Sequence, residues 1–163
     1  MRKISILYVA MTLFALSAFG HVQTKYDTYG NARFGYSIQY PAGILIPQRE
    51  AENGDGRIFL SKDKTVEMRV WGQYNALSDT LKGAYANDLK ERADGTTYKV
   101  LLKNGYVISG VKGNKVFYQK TMLKGADGDT GATFYTFTIE YPISDKAKYD
   151  PIVKRIGQSF KTN

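Results

Sequence analysis

The sequence predicts an α+β domain: an antiparallel sheet, built largely as a strand meander, with two amphipathic helices packed on it. Three observations carry this prediction. Apolar residues alternate with polar ones at a period of two in several short segments, the pattern of half-buried strands. Asn104-Gly105 and Gly113-Asn114 fall between such segments, where they mark tight hairpins. Two further segments, near 78–94 and 150–160, carry apolar residues at helical spacing instead.

In chain order, Phe34 to Tyr40 alternates at every step and Pro41 stops it. Ile44-Leu45-Ile46 reads as a short second strand closed by Pro47, and Glu50 to Gly56 is a loop by composition. Arg57–Ser61 and Thr65–Gly72 form a hairpin around Lys62-Asp63-Lys64. The first helix is expected to open at Ser78 as N-cap, with Leu81, Tyr85 and Leu89 on one face and Gly95 as C-cap. Four strands follow as a meander: Tyr98–Lys103, Tyr106–Val111, Lys115–Lys124 and Ala132–Tyr141, with a loop at Gly125–Gly131. Tyr149, Ile152, Val153, Ile156 and Phe160 make a last helical stripe, with Asp150 expected as N-cap and Pro151 in the first helical position. The helices must bury their stripes against the sheet, and one face of it is expected to take both.

The N-terminus has a different logic. Met1-Arg2-Lys3 is followed by an apolar run of 16 residues, Ile4 to Phe19, and then Gly20. Charge, apolar stretch and the small-x-small close Ala18-Phe19-Gly20 are the parts of a secretory signal. The run is shorter than the ~20 residues that span a bilayer, so cleavage rather than anchorage is expected. The expected organisation is a signal at 1–20, a flexible lead-in at 21–33 and one domain at 34–163. Export to a bacterial periplasm or exterior follows, with no stable membrane insertion after cleavage.

Of 23 basic residues, 21 remain once Arg2 and Lys3 are removed, against 15 acidic ones, a net charge of +6. A basic exported protein points to an anionic envelope component or to a protein partner, and export argues against nucleic acid. There is no cysteine, and the domain is large enough to bury a core without disulfides.

The layout resembles the PsbP-like superfamily, including small exported bacterial proteins of the DcrB lipoprotein group. Phe34–Pro41 with its Tyr-Pro ending, the helix after the Trp71 strand, the meander, and a closing helix ending Gln158-Ser159-Phe160 carry the resemblance over most of residues 34–160. It implies a mostly non-enzymatic role: assembly factor, adaptor or binding module. No functional residue of that group maps onto a position here, and the acylated cysteine of its lipoprotein members is missing.

Motifs for chemistry are sparse. His21 is the only histidine, which leaves a Ser-His-Asp triad without a well-placed base and zinc without a ligand set. Ser61-x-x-Lys64 lies in a hairpin turn, and Gly157-Gln158-Ser159 lies at a helix end, neither the setting its catalytic counterpart requires. The segment from Gly105 to Lys112 approaches a phosphate loop, but Val111 stands where the lysine belongs. Asp127-Gly128-Asp129 begins like a calcium loop, yet the closing acid would fall on Thr138, so a turn is expected. No catalytic residue, metal site or cofactor is predicted.

One strand departs from the bland pattern. Val66, Met68 and Val70 share a face, which puts Glu67, Arg69 and Trp71 together on the other. An aromatic among charges on a polar face marks Arg69 and Trp71 as candidate binding residues; the competing expectation is that Trp71 tucks under the first helix. The predicted function is an exported, non-catalytic binding or adaptor module, in one form an inhibitor or immunity-type protein. The alternatives are a carrier of a small apolar or lipid ligand and, last, an envelope-polymer hydrolase.

Overall fold

The computed structural model describes residues 24–92 and 94–162, so the expected signal at 1–20 and His21 lie outside the described residues. Its first strand, β1 (Tyr26–Asn31), corrects the sequence reading, because it lies inside the segment expected to be a flexible lead-in. It pairs antiparallel with β2 (Tyr36–Pro41), Tyr29 opposite Ile38. The polar composition of β1 hides this. Only Tyr29 and Asn31 turn inward, and the buried Asn31 amide is satisfied by Tyr29 Oη (3.1 Å), the Gly54 carbonyl (2.9 Å) and the Phe34 N–H (2.8 Å).

The expected second strand shrinks to β3 (Ile46–Pro47), while Leu45 leaves the strand and enters the core. The hairpin is as read: β4 (Gly56–Leu60) and β5 (Glu67–Tyr74), with Lys64 at φ 59° in the turn. The first helix, α1, covers Leu81–Glu91 and is capped by Thr80, whose Oγ1 accepts from the Gly83 N–H at 3.0 Å. Ser78, expected as the cap, instead takes φ 55° in the loop before it.

Gly95 is not the C-cap either; that residue is Arg92. Gly95 leads into β6 (Thr96–Leu102), where its carbonyl accepts from the Val111 N–H at 2.9 Å. A Cβ at Gly95 would fall 1.8 Å from the Val111 oxygen, so close backbone approach explains the glycine. Then come β7 (Gly105–Lys112), β8 (Lys115–Lys124) and β9 (Thr133–Pro142), the meander the sequence predicts.

A 3-10 turn at Ile143–Asp145 opens α2 (Lys146–Ser159), and β10 (Lys161–Thr162) closes the described chain. Asp150 and Pro151 therefore lie within α2 rather than at its start. Asp150 fastens the helix to the sheet by accepting from Tyr141 Oη at 2.7 Å and from Lys146 Nζ.

Among the described residues, all strand pairs are antiparallel. One sheet has the order β1-β2-β10, the other β3-β4-β5-β9-β8-β7-β6. The helices do not share a face of the larger sheet. Met68, Val70, Phe137 and Ile139 pack against α2 and the small sheet in the main core. On the opposite face, Tyr106, Ile108, Leu123 and Phe134 pack against Leu81, Ala84, Tyr85 and Leu89 of α1. The smaller sheet competes with α1 for the apolar face, and period counting cannot see that competition.

Candidate functional site

The polar face of β5 forms one wall of the site. Glu67, Arg69, Trp71 and Gln73 project from alternate positions on the side away from the main core, as the sequence predicts. Antiparallel register extends each of these positions into a row across the sheet. Trp71 lies opposite Thr136, which lies opposite Thr121 and then Tyr106. Arg69 continues through Thr138 to Gln119, and Glu67 through Glu140 to Phe117. The short apolar stripe of α1 covers β7, β8 and the start of β9 but does not reach β5. The uncovered strip is an open groove of about 570 Å³ between α1 and β5.

Its floor is a closed polar network. Asp88 of α1 accepts from Tyr106 Oη at 2.5 Å and from Gln119 Nε2. Gln119 Oε1 accepts from Arg92 Nε at 3.2 Å, and Arg92 faces Glu140 at 3.6 Å while its guanidinium lies 5.0 Å over the Phe117 ring. Thr121 and Thr136 hydroxyls bond each other at 3.0 Å. Burial, reinforced by the hydrogen bond to Asp88, pushes the Tyr106 phenol above the usual tyrosine range. Satisfied buried groups of this kind hold the helix at a fixed distance from the sheet, which keeps the groove open.

Arg69 and Trp71 both line this groove, on the face where the sequence places them. Trp71 is partly buried, neither core nor fully exposed, and its Nε1–H donates to Gln73 Oε1 at 3.1 Å. Arg69 is exposed and ion-paired with Glu67, whose hydrogen bond raises the Arg69 pKa further. Backbone packing fixes the position of Trp71: Gly56 of β4 lies directly opposite, and a Cβ there would sit 2.0 Å from the Val70 carbonyl and 2.8 Å from Trp71 Cα.

The charge of the groove runs against that of the chain. Glu67, Asp79, Asp88, Glu91 and Glu140 line it, against Arg69 and Arg92 alone. Sequence reasoning found Glu67, Arg69 and Trp71 from strand alternation but missed the other four acids, because Asp88 and Glu91, for instance, come from a helix whose placement no local pattern reveals. Asn75 was missed as well. This buried amide accepts from the Asp79 N–H at 2.9 Å and donates to the carbonyls of Asp79 and Asp129, at 2.9 and 3.0 Å, joining the α1 entry to the β8–β9 loop.

The other motifs resolve into structural roles. Asp127 Oδ1 accepts from the Leu81 N–H at 2.6 Å, and Asp129 from the Gly131 N–H at 2.8 Å. Ser61 Oγ donates to Asp63 at 2.5 Å and accepts from the Val66 N–H at 3.0 Å. Ser159 Oγ donates to the Ile156 carbonyl at 2.7 Å and accepts from the Gln39 N–H at 2.9 Å.

In fold the chain is similar to cyanobacterial PsbP (CyanoP) from Synechocystis sp. PCC 6803. The TM-score is 0.60 at 12% identity, over 91% of this chain and 99% of that one. The Ran-binding protein Mog1p of Saccharomyces cerevisiae gives a TM-score of 0.49 at 13% identity, over 85% of this chain and 96% of that one. The domain therefore has a PsbP-like fold, as the sequence resemblance implied, and at such identity the likeness is one of fold alone. No protein-family model and no curated protein matches the chain.

Proposed function

We propose that the protein is an exported, non-catalytic binding module that seats a basic segment of a partner protein in the groove between α1 and β5. The observation that carries this reading is charge segregation. A chain with a formal net charge of +8 gathers five carboxylates around one groove, and the two guanidiniums there already face glutamates. Gathered in one concave groove, these carboxylates make a local negative field that favours a cation over the anionic component that the overall charge suggested. Trp71 supplies a rigid anchor whose ring face attracts lysine or arginine side chains.

Glu67 and Glu140 in the lining are ion-paired with Arg69 and Arg92, Asp88 is taken by Tyr106 and Gln119, and the Thr121 and Thr136 hydroxyls bond each other, so a binding role fits the lining better than hydrolysis. Export rests on the signal-like segment at 1–20. Among the described residues, no helix is long and apolar enough to cross a membrane.

Calorimetric titration with a lysine- and arginine-rich peptide and with a glutamate-rich peptide tests the proposal. The basic peptide is expected to bind, more weakly as salt rises, while the acidic one does not. Replacing Glu91, which is exposed on the rim, by Lys should weaken binding of the basic peptide about tenfold. Equal binding of both peptides, or an indifferent Glu91→Lys variant, would remove the proposal.

A further inference from the structure

The opposite side of the large sheet carries a second groove, also about 570 Å³, between α2 and strands β6 to β8. It is independent of the Trp71 groove and of its proposed ligand. α2 covers β8 and β9 but stops short of the sheet edge. Val107, Val116 and Val153 therefore form a nearly buried apolar floor, and Tyr98 and Leu102 of β6 form a wall that is 55% and 51% exposed. Exposed apolar side chains flanking a buried apolar floor are the usual lining of a site for a small hydrophobic ligand, and the volume lies within the roughly 300–1,000 Å³ of such sites.

The charged groups at this groove are Lys120, Lys146, Lys154 and Asp150, beside the phenols of Tyr98, Tyr118 and Tyr141. Asp150 is already taken by Lys146 and Tyr141. Lys120 stands out. It projects from β8 onto the apolar face, in one row with Val107 and Phe137. Its Nζ donates to the Gly157 carbonyl of α2 at 2.7 Å, a neutral acceptor, and no carboxylate among the described residues forms an ion pair with it. Burial lowers its pKa from the usual lysine value, the mark of an ammonium whose charge is poorly compensated. An anion beside Lys120 would relieve that cost, and Lys154 on the rim would add to the attraction.

We propose that this groove binds a single-chain anionic amphiphile, its acyl chain along Tyr98, Leu102 and the valine floor and its carboxylate or phosphate head toward Lys120 and Lys154. The ligand is a monomer taken from solution, not a bilayer surface.

The test uses the intact chain with dodecanoate, decanoate and dodecyltrimethylammonium, each below its micellar concentration, followed by calorimetry. Dodecanoate should bind saturably at one site, with decanoate weaker by roughly four- to fifteenfold for its two missing methylenes. The cationic amphiphile should not bind. Leu102→Asp and Lys154→Glu, both at exposed positions, should each weaken dodecanoate about tenfold with the thermal melt unchanged, and Trp71→Ala should leave it unaltered. The proposal is overturned by absence of saturable binding, by equal affinity for the cationic amphiphile, or by indifference to both groove variants. Binding to phosphatidylglycerol vesicles with none to monomeric dodecanoate would overturn it too.

Discussion

Asp127, in the loop before β9, accepts a hydrogen bond from the backbone N–H of Leu81 at 2.6 Å, so the first turn of α1 is capped partly from a residue 46 positions later in the chain. The free N–H groups of a helix start need acceptors, and a carboxylate there also meets the positive end of the helix dipole. The aspartate that resembled a calcium ligand in the sequence thus fixes one wall of the Trp71 groove. Asp127→Ala should destabilise the fold by about 1 kcal/mol, and Asp127→Asn, which keeps an acceptor oxygen, by much less. Thermal melts of both variants check this, and equal losses would argue against a capping role.

The two candidate roles of Trp71 also differ in stability. Phe137 is fully buried in the main core, and truncation to Ala should cost about 3–5 kcal/mol. Trp71 lies on the groove wall and is only partly buried, so Trp71→Ala should cost about 1 kcal/mol, with a melting shift of about 3 °C. A loss as large as that of Phe137→Ala would make Trp71 a core residue.

Gly56 offers a purely steric test. A methyl group there would collide with backbone, the Val70 carbonyl and Trp71 Cα, and neither can swing aside as a side chain would. Gly56→Ala should therefore destabilise by about 1–3 kcal/mol and shift Trp71 fluorescence by moving its strand. An unchanged melt and spectrum would mean that β4 and β5 are not so closely apposed.

The β4–β5 turn should show in acid. Asp63 accepts from Ser61 Oγ, the Thr65 N–H and Thr65 Oγ1, and these bonds lower its pKa to about 2. The folded value lies below the ordinary ~3.9, so the contribution is fully present above about pH 4 and is lost as pH falls toward 2. An NMR titration of the carboxyl carbon should place the midpoint near 2, and Ser61→Ala should raise it. A midpoint near 4 in the unaltered protein would contradict the turn geometry.

How much of this was legible in the sequence follows from the range of the forces involved. Strand alternation and Asn-Gly turns are local, and they located β2, the β4–β5 hairpin, the meander and the face of Arg69 and Trp71. Helix ends were misplaced where a distant group decides them. Asn75 and Asp127 fix the start of α1 through the loop before β9, leaving Ser78 outside the helix. Asp150 serves Tyr141 instead of a helix start, and the 3-10 turn lets α2 begin at Lys146. β1 escaped because its inward polar residue, Asn31, is satisfied by Glu50 and the Gly54 carbonyl, about twenty residues later in the chain. The acidity of the groove was invisible for the same reason: its carboxylates come from separate elements.

Trp71 is the only tryptophan in the chain, and it lines this groove and a smaller hollow over β4, so its fluorescence reports this stretch of β5. The most direct test of the account is to titrate the protein with a lysine- and arginine-rich peptide while following that emission. The account predicts a saturable change in intensity or wavelength that weakens with salt and is absent when an acidic peptide of the same length is titrated instead. Saturable calorimetric binding of the basic peptide with no change in Trp71 emission would place the partner elsewhere on the molecule and contradict the assignment of this groove.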